Sequence, residues 1–255
     1  MTNVFRAVFE RPYLELQELL ERPILRLRSR SREGSLELDP AVFREFLAAP
    51  WDILPSFQGP VGRRLRLGRG MDHPRYGRFI YAFARAYKPN LVVEVGTYAG
   101  GTAIGWATAL KENGGGKLIC VDQDVYAKGT YPAITRPNLE KTGLPADRLE
   151  LMSGDSRVVL PDLARRLART VDAYLVDADH TYEGALADLE NGLPMLRPGG
   201  MILVHDVDRH FRYLEANPRH PAPVHEAFMD FVRAHAFDWT ILKYIRRHLG
   251  IVRTR

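Results

Sequence analysis

Residues 91–103 constrain the fold of this 255-residue chain more than any other segment. They read Leu-Val-Val-Glu-Val-Gly-Thr-Tyr-Ala-Gly-Gly-Thr-Ala: an apolar run of strand type that carries an acid, a glycine-rich turn, and the start of a helix. Backbone N–H groups at such a helix start, with no side chains in the way, bind the polar end of a nucleotide-like ligand. The segment therefore predicts an open α/β sheet with a cofactor pocket at the turn.

Strands and helices are predicted to alternate from residue 91 onward. Apolar runs predict strands near 91–95, 117–121, 148–152, 171–176 and 200–205. Helical patterns lie near 100–111, 135–142, 156–168, 182–195 and 224–235. A turn is expected at Pro198, Gly199 and Gly200, and residues 237–242 and 247–252 are expected to pair as a closing antiparallel hairpin. This alternation predicts a mainly parallel sheet with helices on both faces.

A polar side chain marks the carboxyl end of each predicted strand. In chain order these residues are Glu94, Asp122, Asp155, Asp177, and His205 with Asp206. A single acid after a strand is common, because Asp often caps the next helix. Five such strands in succession indicate a shared ligand site along the edge where open α/β sheets bind their ligands.

Composition is typical of a globular protein of the cytoplasm. Apolar residues make up 45% of the chain, which is enough for one large domain with an appendage. The single cysteine, Cys120, excludes an intrachain disulfide and fits a reducing compartment. No apolar run reaches the roughly 18 residues of a membrane span, and charged residues interrupt the N-terminus, unlike a signal peptide.

The net charge of +5 is unevenly distributed. Residues 1–90 carry 16 Lys/Arg and 10 Asp/Glu, whereas residues 91–242 carry 15 and 21. Residues 243–255 add five basic residues and no acid. The basic character therefore belongs to the two ends, which favours a solvated or subunit-contact surface. Nucleic acid is disfavoured as a partner, because no aromatic-rich RNA-binding motif accompanies the arginines.

Residues 1–70 are expected to form a mostly helical N-terminal cap, and residues 71–255 the cofactor-binding domain. The elements expected before the core are a helix near 12–21, an Arg/Ser connector at 28–33, and helices near 40–48 and 74–87. Asp39 as N-cap and Pro40 at the first helical position mark the start of the third of these elements. An apolar and arginine-rich cap is compatible with a homodimer, and the oligomeric state stays open.

Residues 93–102 resemble the first motif of class I S-adenosylmethionine-dependent methyltransferases, with Tyr98 in place of the second glycine. Residues 172–184 and 196–206 are similar to a bacterial group that contains macrolide sugar O-methyltransferases and cephalosporin-hydroxylase-like proteins. The resemblance covers about residues 71–250. It implies a Rossmann-like class I methyltransferase fold, in which a mainly parallel α/β sheet ends in an antiparallel hairpin.

The resemblance implies S-adenosyl-L-methionine as the cofactor. The residues that it implies in binding are Glu94, Gly96, Thr97, Tyr98, Gly100, Gly101, Thr102, Asp122, Asp155, Ser156 and Asp177. Asp122 is placed to accept hydrogen bonds from a ribose diol. Asp155 would accept from the adenine amine, with helix capping as an alternative or additional role. A nicotinamide dinucleotide also needs the acid at Asp122, but the turn lacks the Gly-x-Gly-x-x-Gly spacing that seats a pyrophosphate.

A hydroxyl acceptor is a poor nucleophile unless a base removes its proton or a metal lowers its pKa. By resemblance to catechol-type enzymes that hold Mg²⁺, the metal ligands would be Asp177, His205 and Asp206, and Asp177 and His180 the catalytic pair, with His180 as general base. An imidazole suits Mn²⁺, Fe²⁺ or Zn²⁺ better than Mg²⁺, so His205 is alternatively a supporting or interior residue. His180 is alternatively a cap for the helix near Thr181. The need for any divalent cation stays open.

Three functions are compatible with these sequence features. The leading one is an S-adenosylmethionine-dependent O-methyltransferase that acts on a hydroxyl of a small metabolite, such as a sugar, a polyketide or a phenolic. The second is an RNA or other macromolecular methyltransferase that uses the basic termini. The third is a non-catalytic scaffold that binds the cofactor without turnover. The sequence itself does not name the acceptor.

Overall fold

The computed structural model describes residues 32–49, 74–123, 131, 133, 135–210, 216–243, 245 and 247–255. The helix predicted near 12–21 and most of the connector at 28–33 lie outside the described residues. Among the described residues, no helix is both long enough and apolar enough to cross a membrane.

A mixed sheet of eight strands forms the centre of the described fold. The strands are β1 (Arg32–Glu33), β2 (Leu91–Val95), β3 (Lys117–Asp122), β4 (Leu149–Ser153), β5 (Val171–Val176), β6 (Leu196–His205), β7 (Asp238–Leu242) and β8 (Leu249–Arg253). Their spatial order is β1-β7-β8-β6-β5-β2-β3-β4. Strands β2 to β6 pair in parallel, and β8, β7 and β1 extend the sheet with antiparallel pairings. The predicted parallel sheet with a C-terminal antiparallel hairpin is confirmed.

Helices cover both faces of the sheet. They are α1 (Pro40–Ala48), α2 (Pro74–Tyr87), α3 (Gly101–Glu112), α4 (Thr135–Glu140), α5 (Ser156–Arg166), α6 (Tyr182–Gly192) and α7 (Pro223–His235). Successive residues of a strand point to opposite faces. Leu175 of β5 accordingly joins the core formed with α1, α2 and α3, whereas Tyr174 joins the core formed with α5, α6 and α7.

The strand order reverses at β2, which has β3 on one side and β5 on the other. The crevice outside the carboxyl ends of the strands at such a reversal is where open α/β sheets bind ligands. Hydrogen bonds continue the ladder past the strand ends. The Gly96 N–H donates to the Val121 carbonyl at 2.9 Å, and the Asp177 N–H donates to the Val95 carbonyl at 3.0 Å. The first residues of these loops are therefore fixed relative to one another.

The predicted turn at residues 198–200 is wrong, because these residues lie within β6. The strand begins at Leu196, which pairs with Val171 across a register shift. Farther along the strand, the Thr254 N–H donates to the Gly200 carbonyl at 2.9 Å. The backbone partners come from distant parts of the chain, so a local pattern of Pro and Gly does not reveal them.

The described part of the predicted cap packs into the core. Asp39 caps α1 as expected, and residues 32–33, predicted as connector, form the edge strand β1. Arg78 of α2 is buried, and its guanidinium donates to the Ala49 carbonyl at 2.9 and 2.6 Å. This contact ties the segment after α1 to the core. The division into a cap of residues 1–70 and a second domain stays a prediction.

Candidate functional site

An open cleft of about 640 Å³ lies at the carboxyl ends of β2, β3, β4 and β5. Seven of the predicted site residues line it: Gly96, Tyr98, Asp122, Asp155, Ser156, Asp177 and His180. Four neighbouring strand ends thus contribute predicted residues to one cleft.

The remaining predicted residues are not among those that line the cleft. Those with buried side chains are Glu94, Thr97, Thr102, His205 and Asp206. Gly100 is the N-cap of α3, with a φ of 89°, and Gly101 is the first residue of that helix. Contacts of these residues with a cofactor stay predictions.

The turn after β2 has an unusual backbone that its neighbours hold in place. Gly96 has a φ of 86°, and a side chain there would collide with the main chain of Asp177. Tyr98 also has a left-handed φ, at 49°, which is uncommon for a residue other than glycine. The Tyr98 N–H donates to Asp122 Oδ2 at 2.7 Å, and the Thr135 hydroxyl donates to the Tyr98 carbonyl at 2.6 Å. The acid at the end of β3 therefore shapes the turn.

Asp155 both lines the cleft and caps a helix. Its carboxylate accepts from the Arg157 N–H at 2.9 Å and from the Arg157 guanidinium at 2.6 Å. These hydrogen bonds lower the pKa of Asp155. The capping alternative is thus confirmed, and Arg157, which sequence reasoning missed, becomes a cleft residue.

Asp188 of α6 is a fully buried acid near Ser156 that the sequence did not single out. Burial raises the pKa of Asp188 to about 7; a hydrogen bond with Ser156 opposes the shift, and the charges of Asp179 and Asp155 add to it. At neutral pH a large fraction of this carboxyl therefore holds its proton in the folded chain.

The Asp188→Asn variant is expected to lose one component of the pH dependence of stability. The pKa rises from 3.8 in the unfolded chain to about 7 in the folded chain, so this group stabilises the fold fully below about pH 4. That stabilisation is lost as the pH rises through 7, and its size is on the order of 4 kcal/mol. Urea unfolding at several pH values should show that the free energy of unfolding of the variant rises relative to that of the wild type between about pH 4 and pH 7. A difference that does not change with pH would contradict the assignment, and the exposed Asp162→Asn serves as control.

Asp177, His180, His205 and Asp206 form one cluster at the ends of β5 and β6. His180 Nε2 lies 3.1 Å from Asp206 Oδ2 and 3.7 Å from Asp177 Oδ1. His205 Nδ1 lies 3.3 Å from Asp177 Oδ1 and 3.3 Å from Asp206 Oδ1. The four side chains are largely buried, so electrostatic interactions among them are stronger than in water.

Neighbouring charges shift the pKa values of His180 and Asp177 in opposite directions. Burial lowers the pKa of His180, but the nearby carboxylates of Asp177 and Asp206 outweigh burial and raise the pKa to about 10. Burial raises the pKa of Asp177, but His205 and His180 outweigh it and lower the pKa to about 2. His180 therefore keeps its proton at neutral pH in this arrangement. It can accept a proton only when another positive charge offsets the carboxylates.

The donor atoms of Asp177, His180 and Asp206 all lie within 4.8 Å of one another. Two carboxylates and one imidazole at this separation fit a divalent cation. Because of the imidazole, the set suits Mn²⁺, Fe²⁺ or Zn²⁺ better than Mg²⁺. Among the described residues, His205 does not belong to this group of three possible ligands. Its ring stacks on that of Tyr76, with the ring centroids 4.1 Å apart. His205 as a direct ligand stays a prediction.

Two side chains missed by sequence reasoning reach the cluster from distant elements. Tyr76 belongs to α2 and covers one face of His205. Arg247 lies between β7 and β8, and its Nη1 is 3.3 Å from Asp206 Oδ2. Neither residue belongs to a local motif. Tertiary packing alone brings them to the site, so the sequence carries no signal for them.

Part of the chain is similar to known methyltransferases. Residues 93–207 match a family described as "Methyltransferase domain". The catechol O-methyltransferase of Niastella koreensis is 28% identical over 149 residues, which cover 58% of this chain and 63% of that protein. The catechol O-methyltransferase of Mus musculus is 31% identical over 134 residues, which cover 51% and 47%. The chain thus spans less than two thirds of the length of these relatives.

A solved structure shows the same fold. The O-methyltransferase TomG from Streptomyces achromogenes, in complex with S-adenosylmethionine, has a TM-score of 0.59 and 18% identity, and the match covers 86% of this chain and 92% of that chain. The family match and the shared fold confirm the resemblance inferred from the sequence. Residues 93–207 thus match a methyltransferase domain family, and the described fold is similar to that of a methyltransferase solved with S-adenosylmethionine.

Proposed function

We propose that this chain is an O-methyltransferase that moves the methyl group of S-adenosylmethionine to a hydroxyl of a small metabolite. The observation that carries the proposal is the continuity of the cleft from the glycine-rich turn at residues 96–101 to His180. A pocket for the methyl donor and a group able to move a proton therefore share one edge of the sheet. Relatives named catechol O-methyltransferase support a hydroxyl acceptor, with phenolics as the first class to test.

In this proposal the cofactor spans three strand ends. The 96–101 turn binds its amino-acid portion at the start of α3, where the first backbone N–H groups of the helix favour a carboxylate. Asp122 accepts hydrogen bonds from the ribose diol while it holds the turn. Asp155 and Ser156, at the start of α5, bind the adenine. The sulfonium then faces the ends of β5 and β6.

Methyl transfer from a sulfonium is an in-line displacement that depends mainly on alignment of donor and acceptor. In its unprotonated form, His180 accepts the hydroxyl proton at Nε2, and Asp177 and Asp206 orient its ring. This form requires a further positive charge beside the two carboxylates, because His180 otherwise keeps its proton at neutral pH. A divalent cation, when bound, would lower the pKa of the acceptor hydroxyl. A histidine that acts as base leaves the ligand set, so Asp177 and Asp206 are the residues that we propose to hold the cation.

Calorimetry with S-adenosylmethionine and with NAD tests the cofactor assignment. We expect the wild type to bind S-adenosylmethionine and not NAD. Asp122→Asn should weaken binding about 10- to 100-fold, because it loses a charged acceptor for the ribose and loosens the turn at Tyr98. The exposed Asp162→Asn should bind like the wild type. Preference for NAD, or no binding of S-adenosylmethionine, would refute the proposal.

The acceptor is tested separately. Purified protein is incubated with S-adenosylmethionine and a panel of catechols, other phenolics, sugars and polyketides, and methylated product is detected by mass spectrometry. We expect catechol-type acceptors to be methylated with equal release of S-adenosylhomocysteine. Cofactor binding without methyl transfer to any acceptor would favour a scaffold instead.

A further inference from the structure

The connection between β7 and β8 brings Arg247 to the cluster through a strained turn. The His248 N–H donates to the Ile245 carbonyl at 2.9 Å and closes the turn. Arg247 and His248 have φ values of 61° and 62°. Turn positions of this kind usually hold Gly, Asn or Asp, and a bulky residue costs about 1 kcal/mol or more there. Strain of this kind persists where the surroundings enforce it, often at functional sites.

The guanidinium of Arg247 lies against the most deeply buried acid of the cluster. Its Nη1 is 3.3 Å from Asp206 Oδ2, and the Asp206 side chain is 1% exposed. Asp206 itself has a left-handed φ of 66°. The guanidinium stays charged at all ordinary pH values, unlike the neighbouring imidazoles. The structure therefore contains a permanent positive charge at this carboxylate.

A divalent cation held between Asp177 and Asp206 would meet this charge at short range. Asp206 Oδ2 already lies near both Arg247 and His180, at 3.3 and 3.1 Å. Like charges a few ångströms apart repel strongly in a largely buried site. The guanidinium and a divalent cation would thus compete for the Asp206 carboxylate. Binding of the cation requires Arg247 to move away from Asp206 or to weaken its contact with that carboxylate.

We propose that Arg247 is a built-in counter-cation that competes with a divalent cation for Asp206 and keeps the affinity for that cation low. The inference rests on the cation site of the proposed function and assigns the control of that site to a residue outside it. Arg247 is a positioning residue, because it acts through Asp206. When the cation is absent, its charge compensates the carboxylate and keeps Asp206 in place.

Titration with Mn²⁺, followed by electron paramagnetic resonance of the free ion, tests the competition on the full-length protein. Arg247→Gln should bind Mn²⁺ about tenfold more tightly than the wild type, because the competing charge is gone. Arg247→Lys keeps the charge and should stay close to the wild type. The matched control Arg253→Gln alters an exposed arginine that pairs with Asp238 and should change nothing. Adding Asp206→Asn to Arg247→Gln should abolish the gain.

Arg247→Gly gives a second variant should the glutamine substitution fail to fold, because glycine relieves the left-handed strain and also removes the charge. Equal affinity for Mn²⁺ in the wild type and in the uncharged variants would overturn the inference. Equal tightening in Arg247→Lys would also overturn it. Binding of S-adenosylmethionine is measured in the same samples without metal. If the wild type does not bind S-adenosylmethionine, the proposed function is refuted. If the cofactor binds but no variant binds Mn²⁺, only the proposed competition is refuted.

Discussion

Replacing His180 with alanine is expected to lower kcat for methyl transfer by about 10²- to 10⁴-fold. The variant should bind S-adenosylmethionine within about twofold of the wild type, since His180 belongs to the acceptor end of the cleft. Its Nε2 faces both Asp177 and Asp206, and the substitution removes the group that we propose to accept the hydroxyl proton. Steady-state kinetics with the best phenolic acceptor, combined with calorimetry, separates the two effects.

His235→Ala is the matched control for this experiment. His235 is the last residue of α7 and pairs with Glu190 at 3.0 Å, away from the residues that line the cleft. Its kcat and cofactor affinity should both match the wild type. An unchanged kcat in His180→Ala would remove His180 from the mechanism. A parallel loss of cofactor binding would assign it a structural role instead.

The second large effect is expected for Gly96→Ala. The new methyl group would collide with the main chain of Asp177, and alanine disfavours a φ of 86°. We expect no measurable binding of S-adenosylmethionine and a decrease of about 3 kcal/mol in the free energy of unfolding. Calorimetry and urea denaturation measure these quantities.

Gly114→Ala separates the collision from the loss of glycine's conformational freedom. Gly114 also has a left-handed φ, at 96°, but no heavy atom lies within 4 Å of a side chain placed there. This variant should lose only about 1 kcal/mol and bind the cofactor normally. Equal destabilisation of the two variants would show that the collision is not what makes Gly96 necessary.

Chain order alone predicted much of the sheet and of the cleft. Parallel strands bring their carboxyl ends to one edge, so acids that follow successive strands must lie near each other. Asp122, Asp155 and Asp177 therefore meet around the glycine-rich turn as expected. Local capping signals were equally informative, and Asp39 caps α1 as predicted.

The rest depends on contacts between distant segments. Tyr76 and Arg247 reach the cluster from α2 and from the β7–β8 connection, and no short motif marks either of them. Asp188 looks like an ordinary surface acid of a helix until the packing of α6 buries it. The proton on His180 also escaped prediction, because its pKa depends on two carboxylates at short range.

The hydrogen bonds that join the loops after β2, β3 and β5 have a consequence for protein engineering. The Gly96 N–H donates to the Val121 carbonyl and the Asp177 N–H donates to the Val95 carbonyl, so the turn after β2 is joined through its backbone to β3 and to Asp177. The described residues beyond β6 do not take part in these two hydrogen bonds. Described residues of those later segments that do not contact Asp206, unlike Arg247, can therefore be varied while these hydrogen bonds are left intact.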